Sequence, residues 1–181
     1  MKREFIQLSS VLCIITLVAG LLLAGVNAIT APKIALAEKM ASEEAMKKIM
    51  PEADSFEPLN DRVTIAAEGD KKVGYCVKVE SAGYGGNIVM MVAIGEESGE
   101  VRGIEILSHS ETAGLGAKVE NEEFKNQFRN KSAELEVVKK ETDSAYEVTA
   151  ITGATVSSRA VVKGIEQATV LIEEALKGAG K

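Results

Sequence analysis

Apolar positions are distributed along the chain in three different ways, and each predicts a different kind of element. Near the N-terminus they form one unbroken block. After Lys2, Arg3 and Glu4 no charge appears until Lys33, and "FIQLSSVLCIITLVAGLLLAGVNAIT" fills the interval. A bilayer needs about 20 apolar residues in a helix, so this block predicts a transmembrane anchor within residues 1–32. A cleaved secretory signal is the rival reading, with "VNA" at Val26 to Ala28 as its cleavage site. The anchor reading is adopted because Phe5 to Leu8 lengthen the apolar stretch. The positive residues precede the block, so the N-terminus is expected in the cytoplasm and the remainder outside it.

In the middle of the chain the period is two. "VGYCVKVE" alternates and predicts a strand from Val73 to Glu80, with Val73, Tyr75, Val77 and Val79 on one face. "NIVMMVAI" is apolar throughout, as expected of a strand covered on both faces. "VRGIEIL" alternates again after the turn "GEESGE". "SAGYGG" joins the first two strands, its glycines suited to tight turns or close backbone approach. "ENEEFKNQFRNK" predicts a short polar helix with Phe124 and Phe128 on its buried side, and "ELEVVKK" and "AYEVTAI" two further short strands.

Helical spacing occurs twice. Ile34 to Met50 predicts a juxtamembrane helix that Pro51 stops. Ser157 to Lys177 predicts an amphipathic helix with Val161, Ile165, Ala168, Thr169, Ile172 and Leu176 recurring at helical spacing and Gly178 as its C-cap. The segment before Asp70 reads as a connector with some extended structure. The expected organisation is residues 1–32 as cytoplasmic N-terminus and anchor, 33–70 as juxtamembrane helix and connector, and 71–181 as one compact α+β sheet-plus-helix domain.

Composition narrows the function. The net charge is -6 and aromatic residues make up 4% with no tryptophan. Neither a basic surface nor a base-stacking platform is available, so no nucleic-acid partner is expected. The two cysteines, Cys13 in an apolar run and Cys76 in a strand-like run, read as small buried hydrophobes. His109 is the single histidine, which rules out a multi-histidine metal site; no metal is expected.

Two stretches carry candidate chemistry. "TGATVSS", Thr152 to Ser158, follows a strand and opens a helix, where free N–H groups and the helix dipole favour a phosphate. Gly153 and Ala154 leave the approach uncrowded and Thr155 places a hydroxyl there. The plain alternative is that Thr155 or Ser157 is only an N-cap. "ILSHSETAGLGAKV" ends a strand and begins a loop in which Gly114, Leu115 and Gly116 let the backbone lie against a flat ligand. A solvated strand-to-helix connection is the alternative there.

Taken together, these stretches resemble the FMN-binding domain of the G subunit of the Rnf complex, the ion-translocating ferredoxin:NAD oxidoreductase, a domain shared with the C subunit of the sodium-pumping NADH:quinone reductase. The anchor followed by "TAPKI", then "PEADSFE", "GYGGNIVMMVAI", "HSETAGLGAKV" and "TGATVSSRAV", come in that family's order. The resemblance covers essentially the whole chain. It implies FMN joined through its phosphate to Thr155, within Thr152, Gly153, Ala154 and Thr155, by a dedicated flavin transferase. It also implies that Glu111, Thr112, Gly114, Leu115 and Gly116 lie by the isoalloxazine ring. Ala113 stands where the family has proline, and Thr149 where the transferase target usually has aspartate.

The resemblance implies an electron-relaying subunit of an oxidoreductase that translocates Na⁺ or H⁺, working with other membrane subunits and membrane lipid, with no catalytic residue of its own. It places the FMN domain on the extracytoplasmic side of the cell membrane. Lys118 and Arg159 are candidate phosphate or ring-edge partners, and His109 a candidate donor to the flavin. The alternatives are a quinone-reductase-type subunit, a stand-alone extracytoplasmic reductase, or an anchored sensory or binding domain without flavin.

Overall fold

The structure, a computed structural model, describes residues 2–179. Two compact units divide the chain, Met1–Ala41 and Ser42–Lys181.

The first unit is helical. Helix α1 runs Lys2–Ile49, and residues 6–40 of it are exposed apart from half-buried Thr30. Among the described residues it is the one helix long and apolar enough to cross a membrane. Anchor and juxtamembrane helix, expected as separate elements, are one continuous helix. Pro32 lies inside it; the ring removes one backbone donor, and helical hydrogen bonding resumes beyond it. Cys13 is exposed on this helix rather than buried, whereas Cys76 is buried.

The second unit begins with the last turns of α1. Met50 leaves the helix just before Pro51, as the backbone restriction ahead of proline requires. Five strands follow: β1 (Ser55–Pro58), β2 (Val63–Glu68), β3 (Lys71–Ala82), β4 (Asn87–Gly95) and β5 (Val101–Ser108). They pair in chain order as an antiparallel meander. A 3-10 turn (Gly116–Glu120), α2 (Glu122–Asn126), a small parallel pair β6 (Glu136–Val138) and β7 (Glu147–Thr149), and α3 (Thr155–Ala179) complete the unit.

Each face of the sheet has its own core. On one face Tyr75, Val77 and Val79 of β3 and Ile88, Met90, Val92 and Ile94 of β4 meet Val161, Ile165, Ala168 and Ile172 of α3. On the other, Cys76, Met91 and Ala93 meet Ala45, Met46, Ile49 and Met50. This is why "NIVMMVAI" has no polar side: α3 covers one side of β4 and the end of α1 the other. Each fully buried side chain of this size contributes roughly 1.5–3 kcal/mol. Phe124 and Phe128 meet edge-to-face at 5.2 Å and close the end of the first core.

Three expectations change. The connector before Asp70 is part of the sheet, as β1 and β2. Val73 leaves the face of Tyr75, Val77 and Val79: the β2–β3 register shifts between Ala66 and Ala67, and Val73 packs on the face of Cys76. Gly178 lies within α3 instead of capping it.

A charged cluster fastens the end of α1. Lys125 is 5% exposed in its side chain and bonds both oxygens of Glu105 at 2.9 Å and Glu122 at 2.9 Å. Lys48 bonds Glu105 at 3.0 Å and Glu122 at 2.7 Å. Hydrogen bonds from Lys48 and then Lys125 hold the Glu122 carboxyl down at about 2. A lowered carboxyl pKa stabilises above the unfolded value and that contribution is lost as pH falls, here from about 4.5 toward about 2. Because Glu122 is 57% exposed, we expect about 1 kcal/mol or less from it. Thermal melts at pH 7 and pH 3 check this: wild type should lose more stability on acidification than Glu122→Gln, and equal losses would contradict it.

Candidate functional site

Three segments far apart in sequence meet at one carboxylate. Glu111 follows β5, is 8% exposed, and spends both its oxygens on the protein. Oε1 accepts the backbone N–H groups of Tyr84 at 2.8 Å and Gly85 at 3.0 Å, from the turn between β3 and β4. Oε2 accepts the Ser157 hydroxyl at 2.6 Å, from the first turn of α3. Burial by itself would raise the Glu111 pKa, but the Ser157, Gly85 and Tyr84 donors, with His109 nearby, outweigh it and hold the carboxyl below its ordinary value.

Glycine makes these approaches sterically feasible. A Cβ at Gly83 or Gly116 would collide with the Glu111 carboxylate, and one at Gly85 with the Ser110 carbonyl. Gly114 and Gly153 have φ of 76° and 80°, the left-handed region that favours glycine. Gly153 lies under the Leu115 side chain, which would meet a Cβ there at 3.1 Å. The stretches expected to work together, Glu111 to Gly116 and Thr152 to Ser158, are therefore in contact through Leu115 on Gly153 and through Glu111 on Ser157.

Thr155 is the first residue of α3 and is half-buried. Its hydroxyl has no hydrogen-bond partner among the described residues. Nor do the N–H groups of Thr155, Val156 and Ser157, since the first bond into the helix runs from Ser158 N–H to the Ala154 carbonyl at 3.0 Å. No acidic residue occupies the first turn of α3. Exposed Arg159 follows Thr155 by four residues, on the same side of the helix. Three free donors, a free hydroxyl and the positive end of a 25-residue helix fit a phosphate.

The other hydroxyls have different tasks. Ser157, a candidate cap by sequence, instead binds Glu111. Ser158, 0% exposed, accepts the Ile151 N–H at 3.0 Å and donates to the Ala154 carbonyl at 3.0 Å, fixing the turn ahead of Thr155. Thr149 lies in β7, its backbone paired with the Gln127 amide and its hydroxyl donating to the Lys140 carbonyl at 3.3 Å.

Thr112, Gly114 and Leu115 are exposed, and Gly116 is buried. The Thr112 carbonyl accepts the N–H groups of Leu115 and Ala117 and so shapes the loop. His109 is engaged at both ring nitrogens. Nδ1 accepts the Glu111 N–H at 3.1 Å and Nε2 lies 3.0 Å from Glu120. Sequence reasoning missed the pairing of Glu111 with Tyr84, Gly85 and Ser157; "GYGG" was legible as a turn suited to close backbone approach and as part of the family resemblance, but not as a partner of Glu111. Elsewhere, an open groove of about 340 Å³ is lined by Glu134, Glu136, Glu147 and Glu166 among others, a setting that repels a phosphate. Among the described residues no group of side chains suits a metal ion.

The fold and this assembly of loops belong to a flavin-binding class: residues 83–170 match the family described as FMN-binding domain, a span that opens at the Gly83 turn and closes within α3. The crystal structure of NqrC from Shewanella oneidensis is similar in fold, with a TM-score of 0.51 and 22% identity over 64% of this chain and 63% of that one, so the match spans less than two thirds of the solved chain. Over most of its length the chain is 36% identical to the G subunit of the proton-translocating ferredoxin:NAD(+) oxidoreductase complex of Clostridium ljungdahlii, covering 92% of this chain and 91% of that protein. It is 32% identical to the G subunit of the ion-translocating oxidoreductase complex of Methanosarcina acetivorans, covering 92% and 94%. The chain belongs to this family, the G subunits of Rnf-type ion-translocating oxidoreductase complexes.

Proposed function

We propose that this chain is a membrane-anchored flavoprotein subunit that relays electrons within an Rnf-type complex, with FMN esterified through its phosphate to Thr155. The single observation that carries the covalent reading is the Thr155 hydroxyl: it is free of internal partners and stands at a helix start with three free N–H donors and no acid in the first turn. The other two hydroxyls in the first turn of α3, at Ser157 and Ser158, are already bonded. When bound, FMN supplies exchange of one or two electrons with its neighbours.

The residues of the chain hold and orient. Thr155 Oγ would become the ester oxygen: a flavin transferase would take FMN from a donor whose phosphate carries a leaving group, the Thr155 hydroxyl would give up its proton and bond to phosphorus, and the bond to the leaving group would break. The amides of Thr155, Val156 and Ser157 and the Arg159 guanidinium face the phosphate charge. Leu115, on Gly153, offers an apolar surface beside the ring. Glu111 acts through its neighbours and keeps the turn at Tyr84, its own loop and α3 in register. An ester at the phosphate end prevents loss of cofactor by dissociation and leaves the ring free for electron exchange. The apolar part of α1 anchors the subunit among the other membrane subunits and lipid, with its N-terminus cytoplasmic and the FMN domain on the extracytoplasmic side. The complex translocates Na⁺ or H⁺; α1 carries no acid or base between Phe5 and Pro32, so the ion path runs through other subunits.

The test is to produce the full-length chain with a flavin transferase, denature it, and measure in-gel flavin fluorescence and intact mass. A fluorescent band with the mass of one added FMN is expected. An unmodified mass would overturn the covalent reading.

A further inference from the structure

We infer that Tyr84, a residue outside both recognised loops, forms a wall of the flavin site, with its ring against the isoalloxazine. The inference rests on the reading that FMN is held at Thr155. Tyr84 is 76% exposed, in a turn that is otherwise glycine: Gly83, Gly85 and Gly86. The turn is not a loose hairpin tip. Gly83 N–H bonds the Gly86 carbonyl at 2.8 Å, and Tyr84 and Gly85 both bond Glu111. A Cβ on Gly85 would strike the Ser110 carbonyl, and one on Gly86 would crowd the Ser110 side chain at 3.1 Å. Tyr84 therefore has a fixed backbone and a free ring.

Its placement follows from the same carboxylate. One hydrogen bond joins the Tyr84 amide to Glu111, and one joins Glu111 to Ser157, two residues after Thr155. Only a carboxyl group separates the Tyr84 backbone from the first turn of α3. A ring system tethered at Thr155 thus lies within reach of Tyr84 as well as Leu115. Aromatic residues are scarce here. The other exposed tyrosine, Tyr146 at 64%, lines the acidic groove instead. Stacking on a flat aromatic ligand accounts for a rigidly mounted, solvent-facing tyrosine beside a cofactor anchor.

The experiment uses the full-length flavinylated chain in detergent and reads the mobility of the tethered flavin by time-resolved fluorescence anisotropy, with iodide quenching as the second measure. Loss of one aromatic stacking contact should raise the ratio of mobile to docked flavin about two- to tenfold. Tyr84→Ala should show this rise, Tyr84→Phe should restore the docked flavin, and Tyr146→Ala should behave as wild type. All three should keep the covalent label. Flavin as immobile in labelled Tyr84→Ala as in wild type would overturn the role of Tyr84 alone. Wild-type chain without any label would overturn the Thr155 reading and this one with it.

Discussion

Thr155→Ala is expected to remove covalent flavin completely while leaving the fold in place. The substitution deletes a hydroxyl that has no hydrogen-bond partner among the described residues, so no hydrogen bond described in the folded chain is lost with it. Alanine at the first helical position is also a good helix former. Far-UV circular dichroism should be unchanged, and stability should stay within about 0.5 kcal/mol of wild type, the range for a surface change away from structural features. In-gel fluorescence should fall to background. Thr155→Ser keeps an oxygen at the same place and should retain label at a reduced rate. Persisting label in the alanine variant would assign the ester to another hydroxyl, with exposed Thr152 the first to test.

Glu111→Ala is expected to be the most destabilising change in the site. It leaves two backbone donors, at Tyr84 and Gly85, and the Ser157 hydroxyl without their charged acceptor. Hydrogen bonds to a charged group are worth about 1.5–3 kcal/mol each, and buried donors left unmet add a desolvation cost. Some relief comes as water enters, so a loss on the order of 3 kcal/mol is expected. Glu111→Gln keeps the shape and an acceptor for the two N–H groups, and should lose roughly 1 kcal/mol. Denaturant unfolding of both variants checks the order. Equal stability of wild type and Glu111→Ala would contradict the bonded role.

Acid should act on the same carboxyl. Its folded pKa is below the ordinary 4.5, so its contribution is present above that pH and fades as pH falls through the folded value. The wild-type loss on acidification should therefore exceed that of Glu111→Gln. Flavinylation yield should fall with Glu111→Ala, since Ser157 then no longer ties the start of α3 to the Glu111 loop.

Much of the fold was legible because burial repeats along the chain with a fixed period. The alternation in β3, the unbroken apolar run of β4, and the spacing of Val161, Ile165, Ala168 and Ile172 each state which sides are covered. Reading failed where a local irregularity or a distant partner intervened. Val73 follows the alternation rule and still changes face, because a register shift against β2 inserts an extra residue. β1 and β2 are short and carry mixed polarity, so the pairing of β2 with β3, and of β1 with β2, was needed to make them strands. Gly178 resembles a helix stop, yet α3 continues through it.

The amino-acid sequence by itself determined the apolar segment before Lys33, the α+β character of the remainder, and the two loops that carry the family resemblance. These are properties of neighbours in the chain, where hydrophobic period, charge and turn chemistry act locally. Tertiary structure alone decided which hydroxyl is free. Thr155, Ser157 and Ser158 are alike in chemistry and close in sequence; Glu111, 46 residues before Ser157, engages one, the Ile151 turn engages another, and Thr155 is left open. It also gave Glu111 its partners and brought the Tyr84 backbone beside the Glu111 loop, because a carboxylate can gather donors from distant segments only after the sheet and α3 have closed around it.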